Sequence, residues 1–420
     1  MAGKKYYHGF EVVTENCTGC TACVRVCPTE AIRVRDGKVV IDSNRCIDCG
    51  NCVSVCKVNA LIPHPDPLKK IEEFKYKVVI VSSAFAGQFS ENIRYKEVLA
   101  SFYKFGFDLV FEESMMSDFM VKLIREYVRI NKHIRPILSS NCPAVVRLIQ
   151  VRFPSLLPNL LLMESPMGIL AQYYRDRLEK EMNYKPEEIG IFNVIPCIAD
   201  LTATHQPEGT RQKLFDGAFS NADMYNEIMQ ILNSGDELDT DFESYAAGLS
   251  WTLSGIEADL VDCKDIRTLS VNGIDNVKDV LSKVEDHYLD QYDYIVIRSC
   301  KNGCVGGVLN VENPFVAMSR IKKLSKQAKK IDYDDRGVVE LHKQGAFAVD
   351  PIFPRSMMKL DQDIKLALVK MKKLNEILAK LPGINCSACG SPNCFSLAED
   401  IVQGKATLDD CIVLLKKTKE

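Results

Sequence analysis

Two runs of four cysteines constrain this chain more than any other feature. Cys17, Cys20, Cys23 and Cys27 are followed by Pro28 and read C-x2-C-x2-C-x3-C-P. Cys46, Cys49, Cys52 and Cys56 repeat that spacing, with Lys57 in the proline position. The tight loops this spacing demands explain Gly19 and Gly50, whose missing Cβ frees backbone amides to turn towards sulfur. A zinc module would instead set one C-x2-C pair well apart from a second. The chain of 420 residues holds 17 cysteines in all. In a compartment that keeps thiols reduced, such a number points to metal or cluster ligation rather than to disulfides.

The spacing resembles that of bacterial two-cluster ferredoxins, in which three thiolates of one run and the fourth of the other hold each [4Fe–4S] cluster. That resemblance implies Cys17, Cys20 and Cys23 with Cys56 for one cluster, and Cys46, Cys49 and Cys52 with Cys27 for the other. Residues 1–68 are expected to form this two-cluster domain. Its end is marked by PHPDPL, Pro63 to Leu68, which resists helix and strand and reads as a linker.

The formal charge of −3 is too small to suggest a nucleic-acid or membrane-surface role. The opening residues carry no apolar signal region, and no apolar run approaches the roughly 20 residues of a spanning helix. A cytoplasmic protein with no membrane span is therefore expected.

From Tyr76 short apolar strands alternate with amphipathic helices. Lys77 to Ser82, Phe107 to Phe111, His133 to Leu138, Ile189 to Ile195 and Tyr292 to Ile297 are the strand candidates. Asn92 to Phe105, Asp118 to Asn131 and Met167 to Lys180 carry helical periodicity. The alternation argues an α/β domain with largely parallel sheets, whose ligands gather beyond the carboxyl ends of strands. Three cysteine sites fall there. Cys142 lies in SSNCPAVVRLIQ, where Pro143 suits a first helical turn and a helix N-terminus favours a thiolate. Cys197 follows a proline in VIPCIAD, and Cys300 and Cys304 lie in SCKNGCVGG, where Gly306 and Gly307 let the backbone approach a bulky group. On the residues alone, that last pair is open between a disulfide ring, a metal or cluster, and unrelated core thiols. The four cysteines together suffice for one more cubane cluster.

This ordered set of motifs, ferredoxin-like module, N-C-P, P-C and then SCKNGCVGG, resembles the [FeFe]-hydrogenases over nearly the whole chain. The resemblance implies an α/β fold with a two-lobed parallel-sheet catalytic domain over residues 74–345. An N-terminal α+β ferredoxin domain and a small C-terminal iron–sulfur domain would flank it. Cys142, Cys197, Cys300 and Cys304 would hold a [4Fe–4S] cluster, with Cys304 also bridging to a diiron subsite that bears carbonyl, cyanide and dithiolate ligands. The implied reaction is reversible H2 oxidation and proton reduction.

Several positions depart from the active members of that family. Asn141 stands where a second cysteine relays protons, and its amide has no proton to lose near neutral pH. Ile195 replaces the Met before Pro-Cys. Asp200 replaces a lysine that pairs with a cyanide, which reverses the sign of the charge. The acid expected just before Cys300 is missing from Val296 to Ser299, which reads VIRS. Slow turnover is therefore expected. The layout, including GGVLNVENPF, most resembles the sensory subgroup, which would report hydrogen or redox state to a redox or signalling protein. The other reading is a non-catalytic electron-transfer or redox-signalling protein whose central site holds a [4Fe–4S] cluster alone.

Residues 346–380 are basic and read as a helical connection, with Met357 to Leu381 an amphipathic candidate. Residues 381–420 carry Cys386, Cys389, Cys394 and Cys411, spaced C-x2-C-x4-C-x16-C. Zinc also uses C-x2-C pairs, but this spacing resembles the small C-terminal [4Fe–4S] domain of several iron–sulfur enzymes. Gly383, Gly390 and Pro392 would form its loop, and a helix over Phe395 to Val402 would return Cys411. Sixteen cysteines are thus assigned to four [4Fe–4S] clusters, and Cys263 is left as a core residue. None of the six histidines falls in a metal-like pair; His133 and His205 read as structural or exposed.

Overall fold

The computed structural model describes residues 6–330, 336–355, 360–361 and 363–417. Its first part contains β1 (Phe10–Val12), β2 (Ile32–Arg35), β3 (Lys38–Ile41) and β4 (Leu61–Pro63). β1 pairs antiparallel with β4, and β2 with β3. Each cysteine run contains one short helical turn, Ala22–Arg25 or Asn51–Ser54. Gly19 and Gly50 both have positive φ, 70° and 79°, a region glycine enters without steric cost. The PHPDPL stretch is less free than a linker. Pro63 closes β4 on its edge, where a missing amide is tolerated. Asp66 accepts hydrogen bonds from Lys70 and from the amide of Ala218, and pairs with His205.

The central part adds β5 (Tyr76–Val81), β6 (Leu109–Glu112), β7 (Ile137–Leu138), β8 (Ile189–Ile195), β9 (Gly217–Ser220), β10 (Thr268–Asn272) and β11 (Tyr294–Arg298). They form two parallel sheets, in the orders β6-β5-β8-β9 and β10-β11-β7. All seven residues of β8 are buried, as expected of a parallel strand covered on both faces. Alternate side chains serve different cores. Val78, Ile80, Ile189 and Ile191 of the larger sheet share one apolar core with Tyr294 and Val296 of β11, which joins the two lobes. Val79, Val81, Phe192 and Val194 face the other way.

β7 is shorter than the expected His133 to Leu138, because Pro136 has no amide to offer a ladder. β9 and β10 were not among the strand candidates. β9 is only four residues long, and β10 is half exposed and polar at its ends. The expected helices appear as Tyr95–Phe105, Ser117–Ile130 and Pro166–Glu181.

The stretch after residue 345 packs onto the central part before any connection begins. Phe347 is buried in the shared core, and Arg355 pairs with Glu208 and donates to the carbonyl of Cys46. The candidate helix over Met357 to Leu381 is seen as Ile364–Leu378; residues 356–359 and 362 lie outside the described residues. Its Leu374 and Ile377 pack on Leu397 and Ala398 of the helix Cys394–Val402. Cys263 is less buried than a core residue would be: it packs half-buried against the shared core, its thiol donating to Asp265 and accepting from Arg129.

Candidate metal centre

The two N-terminal runs fold so that each lends its fourth cysteine to the other. Cys17, Cys20, Cys23 and Cys56 line one small cavity, and Cys27, Cys46, Cys49 and Cys52 line another. Each fourth cysteine accepts a backbone N–H four residues on, Ala31 to Cys27 Sγ and Ala60 to Cys56 Sγ, both at 3.2 Å. Such amides stabilise thiolate charge. Burial pushes the Cys23 thiol up to about 11 and the Cys52 thiol up to about 12, with neighbouring sulfurs adding to it. Four thiols this close cannot all ionise unless a cation balances them, which is what cluster iron does.

The central quartet comes from the carboxyl ends of strands in both sheets. Cys142 follows β7 and caps the helix Pro143–Arg152, with Pro143 in the first turn. Cys197 follows β8 and precedes the helix Ile198–His205. Cys300 follows β11, and Cys304 opens the next 3-10 turn, Cys304–Gly306. Burial, with the adjacent Cys142 and Cys304 sulfurs adding to it, raises Cys300 to about 12. Burial also lifts Cys304 to about 11, against the pull of Arg298. Gly307 is required by a close backbone approach. A Cβ there would overlap the carbonyl oxygen of Pro196, so its absence lets the loops bearing Cys197 and Cys304 come as near as they do. Four sulfurs with glycine-made clearance fit an iron–sulfur cubane. The neighbouring ferredoxin quartet is close enough for Cys49 to interact electrostatically with Cys300.

A cavity of about 550 Å³ opens beside this quartet, and Asn141, Asp200, Arg298, Glu113, Trp251 and Cys304 are among its walls. The Cys197 thiol donates to Asp200 Oδ2 at 3.2 Å. Burial raises the Asp200 carboxyl to about 6. Asn141 Nδ2 donates to Glu257 Oε1 at 3.2 Å. At the C-terminus Cys394 and Cys411 are buried in one small core, with half-buried Cys389 packed on it, while Cys386 is exposed.

The comparisons agree with this arrangement. The family described as "Iron only hydrogenase large subunit, C-terminal domain" matches residues 75–232, a 4Fe-4S dicluster domain matches residues 16–60, and an Fe-S cluster family matches residues 381–413. The periplasmic [Fe] hydrogenase large subunit of Nitratidesulfovibrio vulgaris is 22% identical over 361 residues, covering 71% of this chain and 86% of that one. A Glu-to-Gln variant of [FeFe]-hydrogenase HydA1 from Chlamydomonas reinhardtii superimposes with a TM-score of 0.52 at 15% identity, over 69% of this chain and 96% of that one. Over residues 75–232 the chain is [FeFe]-hydrogenase-like. A cytosolic Fe-S cluster assembly factor, nar1 of Talaromyces marneffei, is also similar, at 30% identity over 87 residues, 21% of this chain and 14% of that one. Among the described residues no helix is long and apolar enough to cross a membrane.

This [FeFe]-hydrogenase-like chain also places residues at the site that motif reading passed over. The missing acid before Cys300 is answered by Glu257, from the helix Ile256–Val261. Glu257 accepts from Asn141, from the Tyr294 hydroxyl at 2.7 Å and from Arg298 at 2.9 Å. Arg298 also donates to Cys304 Sγ at 3.1 Å and to the carbonyls of Thr252 and Trp251. Burial works against its charge, but Cys304 and Glu257 outweigh that and hold the guanidinium protonated more firmly than usual. One signal was present: a charged residue ends the otherwise apolar strand YIVIR. Glu257 had none, being 43 residues away from Cys300 in a polar stretch. His8 Nδ1 lies 3.0 Å from Asp48, and both stand within 4.8 Å of Cys46.

Proposed function

We propose that this hydrogenase-like iron–sulfur protein carries out reversible H2 oxidation and proton reduction at low turnover, in a sensory role. The observation that supports this best is the clustering of the Cys142, Cys197, Cys300 and Cys304 sulfurs beside a cavity that Cys304, Asn141 and Asp200 line. A diiron subsite joined through Cys304 would supply an open metal position at which H2 is polarised. This chain's own residues set the rest. Asn141 offers an amide to Glu257 where a proton carrier is needed, which leaves the pocket without a side chain that can lose a proton at that point. Arg298 balances the charge of the Cys304 sulfur. Electrons would leave through the Cys46 and Cys17 quartets to a redox or signalling protein, in a cytoplasmic setting that keeps thiols reduced.

The second reading, a central [4Fe–4S] cluster without the diiron unit, is favoured by Asp200. Its carboxylate is engaged by Cys197 and stands where a cation would pair with cyanide. The likeness to nar1 over part of the chain points the same way. An infrared spectrum of anaerobically purified protein supplied with the diiron precursor separates the two. Carbonyl and cyanide bands are expected from the first reading, and a spectrum without them sinks it. In protein that shows the bands, Asn141→Cys is expected to raise hydrogen turnover by roughly 10- to 100-fold, the scale of a restored proton carrier. Unchanged turnover would place the slow step elsewhere.

A further inference from the structure

The C-terminal module is not a free appendage. Gly390, beside Cys389, accepts the backbone N–H of Val34 at 2.8 Å, and a Cβ on Gly390 would overlap the Val34 carbonyl. Val34 also lines the cavity of Cys17, Cys20, Cys23 and Cys56. One residue therefore separates the two ligand loops. Three arginines hold them there. Arg33 Nε and Arg35 Nη2 each donate to Asp400 Oδ2 at 2.6 Å, and Arg45 grips Glu399 with contacts of 2.5 and 3.1 Å. Arg35 reaches further, to the carbonyl of Cys389 at 3.2 Å. The Asp400 and Glu399 side chains are only 10% and 5% exposed, so these pairs are shielded from water. Charges buried to this degree hold a geometry because separating them leaves each uncompensated.

We propose that Arg33, Arg35 and Arg45 clamp the C-terminal quartet against the Cys17 quartet, making it the outer end of a single line of four sites. Along that line the Cys17 quartet meets the Cys46 quartet where Cys23 interacts with Cys52, and the Cys46 quartet meets the central site at Cys49 and Cys300. The C-terminal quartet thus has the N-terminal domain, not the central site, as its redox neighbour. The exchange this serves is of one electron, lost by one cluster and gained by the next, with no bond made or broken and no proton moved.

The proposal rests on cluster binding by Cys386, Cys389, Cys394 and Cys411, which iron and sulfide content checks independently. In the dithionite-reduced holoprotein, electron paramagnetic resonance is expected to show spin–spin broadening of the Cys17-quartet signal that falls, in a Cys389→Ala variant, to the part owed to the Cys46 quartet, with the central signal unchanged. A Cys17-quartet linewidth that is the same in the wild type and in Cys389→Ala, or a C-terminal module without iron, overturns the proposal. The double variant Asp400→Asn, Glu399→Gln tests the clamp itself. Its expected effects are the same fall in broadening as in Cys389→Ala and a gain of roughly tenfold or more in amide exchange at Val34, with the rest of the chain unchanged. Retained broadening with unchanged exchange overturns the clamp. Should this variant unfold, exchange rises throughout the chain, and the comparison of the wild type with Cys389→Ala decides.

Discussion

A guanidinium placed at the end of a wholly buried strand is costly to desolvate, and Arg298 offsets that cost through Glu257, two backbone carbonyls and the Cys304 sulfur. Replacing it with leucine leaves Glu257 without its cation and is expected to destabilise the fold by about 3–5 kcal/mol. In protein that still folds, the central cluster should be harder to reduce, because a positive charge beside its ligand is gone. A redox titration followed by paramagnetic resonance measures that, and Arg298→Lys should retain most of the wild-type potential. An unchanged potential in the leucine variant would mean that Arg298 acts on packing alone. Gly307 supports a second prediction at this scale. A methyl group there meets the Pro196 carbonyl, so Gly307→Ala should lower the iron content of the central site while the N-terminal quartets keep theirs. Equal iron in the two proteins would count against that account.

At the scale of one element, the end of β6 sends two adjacent carboxylates to opposite sides. Glu113 accepts the amide of Ser83 and faces the central cavity, whereas Glu112 is buried and accepts from the amide of Tyr245 and the hydroxyl of Ser244. Burial raises the Glu112 carboxyl from an ordinary 4.5 to about 7. The folded protein therefore binds that proton more tightly than the unfolded chain does. The resulting stabilisation is complete below about pH 4.5 and is lost as pH rises towards 7, at most about 3 kcal/mol. Denaturation midpoints measured between pH 5 and 8 should fall more steeply in the wild type than in Glu112→Gln. Parallel slopes would place the proton elsewhere. Elements also differ in how far the sequence reveals them. Ile189–Ile195 matches its expected bounds residue for residue, since a parallel strand covered on both faces must be apolar throughout. β10 pairs along the edge of its sheet with polar residues at both ends, and such a strand carries no comparable pattern.

Across the whole molecule the cysteines do two kinds of work. In the central part the strands carry their own apolar cores, and the quartet sits at their edge. In the two end modules the cysteines are part of the core itself: Cys46 and Cys52 pack in the N-terminal cluster of apolar side chains, and Cys394 and Cys411 in the C-terminal one. Small domains built this way take much of their folding free energy from the metal. Removing iron with a chelator should open residues 6–63 and 381–417 to proteases while the two parallel sheets stay resistant. Limited proteolysis read by mass spectrometry tests this, and uniform resistance after iron removal would refute it.

The hydrogenase likeness, the α/β class and the gathering of the two N-terminal quartets were legible in the sequence, because thiol spacing and apolar periodicity are local and survive without knowledge of the fold. The surroundings of those thiols were not. Glu257 reaches Asn141 across 116 positions, His8 reaches Asp48 across 40, and Asp400 reaches Arg33 across 367. Contacts at such separations leave no periodic mark, because one polar residue in a polar stretch looks like any other. The tertiary structure decided which charges face the central sulfurs and which module the C-terminal quartet adjoins, since only folding brings those loops into one low-dielectric neighbourhood where a single charge matters.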